Sequence, residues 1–282
     1  MSNKIDQEQR DSLHKALQNS DSQGTALITG ASSGIGALYA DRLASRGYDL
    51  ILVARNQGRL DAVAKRLIEG SGRSVQVIVA DLNDHSDLAR VEQVLRTDST
   101  ITMLVNNAGI GAPPLLLDSG VEKIDQMIGL NIAALARLTY AVVPRFLSRG
   151  GGSIINISSV LGIVPELLYG VYGGTKAFVL AFSLSLHKEF ADRKIRVQAV
   201  LPGATATDFW DNSGTPLGGL PKEVVMNVVE MVDAAIAGFE QGELVTIPSL
   251  PDMADWEAYE AARQKMIPNL SLSAAAERYN VR

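Results

Sequence analysis

Tyr172 and Lys176 are the two residues whose types and spacing first suggest proton chemistry. Of the seven tyrosines, only Tyr172 has a lysine four positions later, in Tyr172-Gly173-Gly174-Thr175-Lys176. On a helix this spacing puts both side chains on one face, a turn apart. A phenol titrates at about 10, too high for efficient proton exchange at neutral pH, and a neighbouring ammonium stabilises its phenolate. The pair is therefore a candidate general acid and base. An accidental surface pair has the same spacing, so its meaning depends on the elements around it.

Those elements alternate. Short apolar runs rich in β-formers lie at Thr25–Thr29, Asp49–Ala54, Val75–Ala80, Ile101–Val105, Ser153–Ser158, Arg196–Leu201 and Leu244–Ile247. They are continuous rather than alternating, as for parallel strands covered on both faces. Helical segments fall between them, among them Ile35–Arg46, Gly58–Glu69, His85–Arg96 and Val121–Leu147. This order predicts an α/β fold, a doubly wound parallel sheet in a single domain, binding its ligand at the carboxyl ends of the strands.

Composition narrows the function classes. The 282 residues are 46% hydrophobic, enough for one substantial core, and the net charge of −5 argues against a nucleic-acid or anionic-membrane partner. Without cysteine there is neither a disulfide framework nor a thiolate metal site. His14, His85 and His187 are far apart and form no metal-binding motif, so no metal is expected. The polar arm 1–23 lacks the apolar run of a signal peptide, and no stretch reads as a membrane span; a cytoplasmic location is expected. The main domain is assigned to 24–250, with a helical extension at 251–282 whose helix centres on Trp256 to Met266. The long segment 203–221, carrying Phe209 and Trp210, is read as a substrate lid.

Directly after the first strand comes Thr29-Gly30-Ala31-Ser32-Ser33-Gly34-Ile35-Gly36. Its glycines suit a tight turn, close approach of a phosphate and close helix–strand packing, and the helix it opens offers free N–H groups to a pyrophosphate. The same stretch satisfies G-x-S-x-G, the nucleophile elbow of serine hydrolases, with Ser32 as nucleophile and His187 closing the order. Against that alternative, the elbow falls on the first strand, with no sheet before it to form the oxyanion side.

Taken together, Thr29–Gly36, Asn106-Asn107-Ala108-Gly109, Asn131, Ser159, Tyr172-x-x-x-Lys176 and Pro202-Gly203 resemble the short-chain dehydrogenase/reductase family in order and spacing, over about Gln23 to Ile247. The resemblance implies an oxidoreductase that interconverts a ketone or aldehyde and an alcohol with a nicotinamide cofactor. Tyr172 would be the acid or base, and Lys176 would lower its pKa and hydrogen-bond the nicotinamide ribose. Ser159 would polarise the carbonyl, while Ser158 packs inward. Asn131 would hold a water joining Lys176 to solvent. Cofactor contacts are implied for Gly30, Ser32, Ser33, Gly34, Ile35, Gly36, Asn107, Ala108, Gly109, Pro202, Gly203, Thr205 and Thr207, with Asp81 and Leu82 at the adenine. Asp81 has an alternative reading as a helix N-cap. A catalytically silent cofactor-binding sensor would keep the glycine loop, but need not keep Ser159, Tyr172 and Lys176 together.

Three further expectations concern ligands and assembly. The second strand ends Ala54-Arg55, with no acid to hold the ribose hydroxyls and a guanidinium suited to a phosphate, which predicts NADP(H). Neither Val160–Val171 nor Ala204–Leu220 contains a lysine or arginine. Leu161, Ile163, Pro165, Leu167, Leu168, Phe209 and Trp210 are apolar there, beside Glu166, Asp208 and Asp211, so a neutral, largely apolar substrate is expected. The apolar stretch Ala177–Phe182 suggests a helix buried on several sides and a homodimer or homotetramer.

Overall fold

In the computed structural model, residues 22–111, 115–167, 170–210 and 217–280 are described. The arm as far as residue 21, and Leu168 and Asp211 of the substrate-polarity reading, lie outside them.

The strands are β1 (Thr25–Thr29), β2 (Asp49–Ala54), β3 (Val75–Val79), β4 (Ile101–Asn106), β5 (Gly152–Ile157), β6 (Ile195–Val200), β7 (Ala204–Thr205), β8 (Val225–Met226) and β9 (Val245–Thr246). Seven of them form one sheet in the order β3-β2-β1-β4-β5-β6-β9, and every pairing in it is parallel. The seven runs read from the sequence are these seven strands. The order reverses between β1 and β4, which puts the ligand crevice above the ends of those two strands.

The helices are α1 (Gly34–Ala44), α2 (Gln57–Ser71), α3 (His85–Thr97), α4 (Leu116–Ser119), α5 (Val121–Ile128), α6 (Leu135–Arg149), α7 (Val171–Glu189), α8 (Val228–Gln241) and α9 (Met253–Lys265). Two buried clusters cover the sheet. One joins Ile28, Leu50, Leu52, Met103 and Val105 to Tyr39 and Leu43 of α1 and to Met231 and Ile236 of α8. The other joins Leu27, Ile51, Val53 and Leu104 to Leu88, Val91 and Leu95 of α3 and to Leu138, Val142 and Phe146 of α6. Adjacent strand residues thus bury opposite faces, which explains why the strands read as unbroken apolar runs.

Two departures from the sequence reading bear on the site. The single helix expected at Val121–Leu147 is broken by a π-helical turn at Gly129–Ala134, joining α5 to α6. The whole run Val121–Arg149 is also long and apolar enough, by length and composition, to cross a membrane, contrary to expectation. Here Leu135, Leu138, Ala141, Val142 and Phe146 spend its apolar face in the core. Its arginines are engaged too: Arg137 with Glu92 at 2.6 Å, Arg145 with the Thr97 carbonyl at 2.6 Å. Second, the segment read as a lid begins as a strand, because β7 pairs in parallel with β8. Two-residue strands leave no periodicity for a sequence to show.

The chain divides into two compact units at Pro248/Ser249. The second contains α9, which Asp252 caps by accepting from the Ala254 N–H at 2.9 Å. Trp256 and Tyr259 pack ring against ring, with centroids 5.4 Å apart.

Candidate active site

The glycine loop leaves β1 and turns into α1. Gly36 stands where a Cβ would strike the Gly30 carbonyl oxygen and lie 2.5 Å from the Asn107 amide nitrogen, so only glycine lets α1 start this close to the sheet. Gly34 has φ of +53°, and across from it a Cβ would meet Thr207 at 3.2 Å. Ser33 precedes the helix in extended conformation, and its side chain makes no capping bond. Among the described residues the first N–H groups of α1 have no side-chain cap and can receive an anion. Ser32 and Ile35 are half-buried, and Ile35 packs against the core under the loop.

Asn107 fastens this loop to the end of β4. Its Nδ2 donates to the Thr29 and Gly30 carbonyls at 2.9 and 3.2 Å, and the Asn107 and Ala108 N–H groups both donate to Thr29 Oγ1 at 3.0 Å. Below it, buried Asn106 donates to Asn156 Oδ1 at 2.9 Å and to Thr139 at 3.1 Å, and Asn156 donates to Ser183 at 2.9 Å. This network ties β4, β5, α6 and α7 together just under the crevice. The sequence offered no signal for Ser183 or Thr139, since their partners are distant in the chain.

On the catalytic side, the structure brings together Asn131, Lys176 and Tyr172. Lys176 is 6% exposed, and its Nζ donates to the Ile157 carbonyl at 2.9 Å. The ammonium lies over the Tyr172 ring, 5.6 Å from its centre. Burial pushes the Lys176 pKa down to about 8. Burial also pushes the Tyr172 phenol above its ordinary value, the reverse of the lowering expected from the ammonium. Asn131 sits in the π-helical turn, and both of its amide atoms engage Ile110: Oδ1 accepts the N–H at 2.9 Å and Nδ2 donates to the carbonyl at 3.0 Å. A Cβ on Gly109 would lie 3.2 Å from Asn131 Oδ1, so the backbone passes close above it.

Ser159, only 8% exposed, donates to the Pro202 carbonyl at 3.3 Å and accepts from the Leu161 N–H at 3.2 Å. Its hydroxyl proton must leave Pro202 before it can serve a substrate. Ser158 is buried as expected and donates to the Lys176 carbonyl at 2.7 Å, bolting the end of β5 to α7. Phe209 meets the Tyr172 ring at 5.7 Å between centroids, and Trp210 packs edge-on against Phe209 at 5.8 Å. The Trp210 indole N–H donates to the Thr205 carbonyl at 2.8 Å, which fixes this aromatic pair to β7. Thr205 itself donates to the Gly203 carbonyl at 3.1 Å, and Thr207 to the Thr205 carbonyl at 3.5 Å.

Asp81 is not the cap of α3; Asp84 fills that role, accepting from the Ser86 and Asp87 N–H groups. Among the described residues the Asp81 carboxylate accepts from the Asn83 N–H at 3.0 Å, while Leu82 beside it is buried. Arg55 is exposed and has no ion-pair partner among the described residues, whereas Arg59 pairs with Asp208 at 3.1 Å. The hydrolase reading fails on distance. His187 is exposed in the last turn of α7, fifteen residues beyond Tyr172, and so lies about 22 Å along the helix from the crevice end.

A sequence profile described as short chain dehydrogenase matches residues 24–217. The chain belongs to the short-chain dehydrogenase family. A short-chain dehydrogenase from Sphingobium yanoikuyae, solved in complex with NADPH, is 50% identical with a TM-score of 0.88, over 91% of this chain and 99% of that one. A bulky-bulky ketone specific alcohol dehydrogenase from Comamonas testosteroni is 47% identical with a TM-score of 0.84, over 91% and 98%. A very-long-chain 3-oxoacyl-CoA reductase from Anas platyrhynchos is 40% identical over 64% of this chain, and the match spans 60% of that reductase.

Proposed function

We propose that the protein is an NADP(H)-dependent oxidoreductase that interconverts a neutral, bulky, apolar ketone and its secondary alcohol. The observation that carries this reading is the buried Lys176 ammonium, held by the Ile157 carbonyl over the ring of Tyr172. A buried charge of this kind is costly and is retained where chemistry needs it. The residues present fit a dinucleotide: uncapped N–H groups open α1, Gly34 leaves room opposite Thr207, and Arg55 is free for a phosphate. Ser33 and the loop backbone would hold the pyrophosphate, Arg55 and Ser32 the 2′-phosphate, Asp81 the adenine and Lys176 the ribose. Thr205 and Thr207 would flank the nicotinamide. When bound, the nicotinamide ring supplies or accepts the hydride.

The chain's own residues do the rest. In the reducing direction Tyr172 gives its phenolic proton to the carbonyl oxygen, and the Lys176 ammonium stabilises the phenolate that remains. A phenol is protonated at neutral pH, so the proton is in place for transfer. Ser159, turned from Pro202, donates to the same oxygen as it becomes negative. Phe209 and Trp210 form an uncharged wall beside Tyr172, which suits an apolar substituent, and they favour a ketone of the kind named for the Comamonas relative.

The test is NADPH oxidation against a panel of bulky aryl ketones, with Tyr172→Phe as the blank. Tyr172→Phe should lose about 100- to 10,000-fold in rate and still bind cofactor. A mutant that keeps more than about a tenth of wild-type turnover overturns the assignment. A 3-oxo acid reduced faster than its neutral ester overturns the substrate class.

A further inference from the structure

Thr175 stands between the parts of the catalytic array. Its side chain is 1% exposed. Its hydroxyl donates to the Tyr172 carbonyl at 2.8 Å and accepts from Asn131 Nδ2 at 3.1 Å. These directions are forced, because the carbonyl can only accept and the amide nitrogen can only donate. Bonding back to the carbonyl three residues earlier is ordinary for a helical threonine. The second bond, to an amide in the π-helical turn, is not local at all.

The turn that carries Tyr172 is weak by itself. Gly170 caps α7 without a side-chain bond, and Gly173 and Gly174 follow Tyr172 directly. Gly173 has a packing reason, since a Cβ there would lie 2.8 Å from Pro165, but nothing stands within 4 Å of a Cβ on Gly174. Each helical glycine is less favourable than alanine by about 1 kcal/mol. Local propensity therefore does not hold the Tyr172 backbone. Asn131, by contrast, is clamped at both amide atoms by Ile110.

Resting on the assignment of Tyr172 as acid and base, we infer that Thr175 is a positioning residue. Its hydroxyl locks the first turn of α7 to the clamped amide of Asn131 and so sets where the Tyr172 phenol stands over the substrate. The π-helical turn and α7 meet at this one hydroxyl, and the Ile110 backbone beyond β4 holds the amide that reaches it. Removing it leaves the turn's three glycines to set the phenol position.

Thr175→Val keeps the shape and removes the hydroxyl. It should lower kcat on the order of tenfold, while KM for the ketone and NADPH binding by fluorescence titration change by less than about twofold. Thr175→Ser should restore kcat to within about twofold of wild type, which a loss of packing alone would not allow. In an Asn131→Ala background, Thr175→Val should lower kcat by clearly less than it does in the wild type, because the bond to Asn131 is already gone and only the bond to the Tyr172 carbonyl is left to lose. Wild-type kcat in Thr175→Val, or a Thr175→Ser as slow as Thr175→Val, overturns the inference. Should Thr175→Val fail to fold, seen as lost NADPH binding, Thr175→Ala makes the same comparison. Tyr172→Phe runs alongside: if it is active, the underlying assignment fails; if it is dead while Thr175→Val is unaffected, only the positioning role fails.

Discussion

Lys176 has to be charged to stabilise a phenolate, yet it is buried where charge is disfavoured, and its pKa falls to about 8. The sign of the consequence follows from linkage. Below that value both folded and unfolded lysine are protonated, and the folded state carries the full burial penalty, about 3 kcal/mol as an upper figure. As pH rises toward the ordinary lysine value the unfolded state binds more protons, so stability lost to burial is regained. The wild type should therefore gain stability relative to Lys176→Met between about pH 8 and 10.5, read by denaturant titration at each pH. A difference independent of pH would mean that Lys176 is not buried as charge. At the other end of the crevice, replacing Ala54 with Asp and Arg55 with Gln should reverse a preference for NADPH over NADH. The acid would repel a 2′-phosphate and hold ribose hydroxyls instead. Comparable kcat/KM for the two cofactors in the unmodified protein would show that Arg55 does not read the phosphate.

Among the elements, the junction of β1 and α1 tolerates least. Gly36 lies against the Gly30 carbonyl and the Asn107 amide, neither of which can withdraw without disturbing the loop. Gly36→Ala should cost about 1–3 kcal/mol in stability, the usual range for overpacking. It should also weaken NADPH binding, because the displaced helix carries the N–H groups that meet the pyrophosphate. Denaturation midpoints and fluorescence titration check the two effects separately. Unchanged binding in a folded Gly36→Ala would show that this close approach does not shape the cofactor groove.

At the scale of the molecule, part of the apolar surface of α7 is exposed among the described residues. Val179 and Leu180 are buried, while Phe178 and Phe182, stacked at 5.6 Å, are half-buried and Ala181 is exposed. On α6 Tyr140 is 75% exposed. A homodimer or homotetramer covering these positions is the expected state, checked by light scattering at micromolar concentration; a stable monomer there would refute it.

The sheet and the identity of the chemical groups are legible in the amino-acid chain alone. The seven largely apolar runs fit strands covered on both faces, and each reappears within one or two residues of its expected bounds. The glycine spacing after β1 and the Tyr172–Lys176 pair were legible for the same reason: both are local patterns whose geometry depends on neighbouring backbone alone. Tertiary structure decided what depends on distance. It moved the α3 cap from Asp81 to Asp84, separated His187 from Ser32, and turned the Ser159 hydroxyl toward Pro202. It placed Asn131 in a π-helical turn, where its amide reaches Ile110 and Thr175 at once. It also buried the Lys176 ammonium and held it over the Tyr172 ring. Spacing along a chain specifies which groups share a face, but hydrogen-bond partners and local dielectric arise only when distant segments pack.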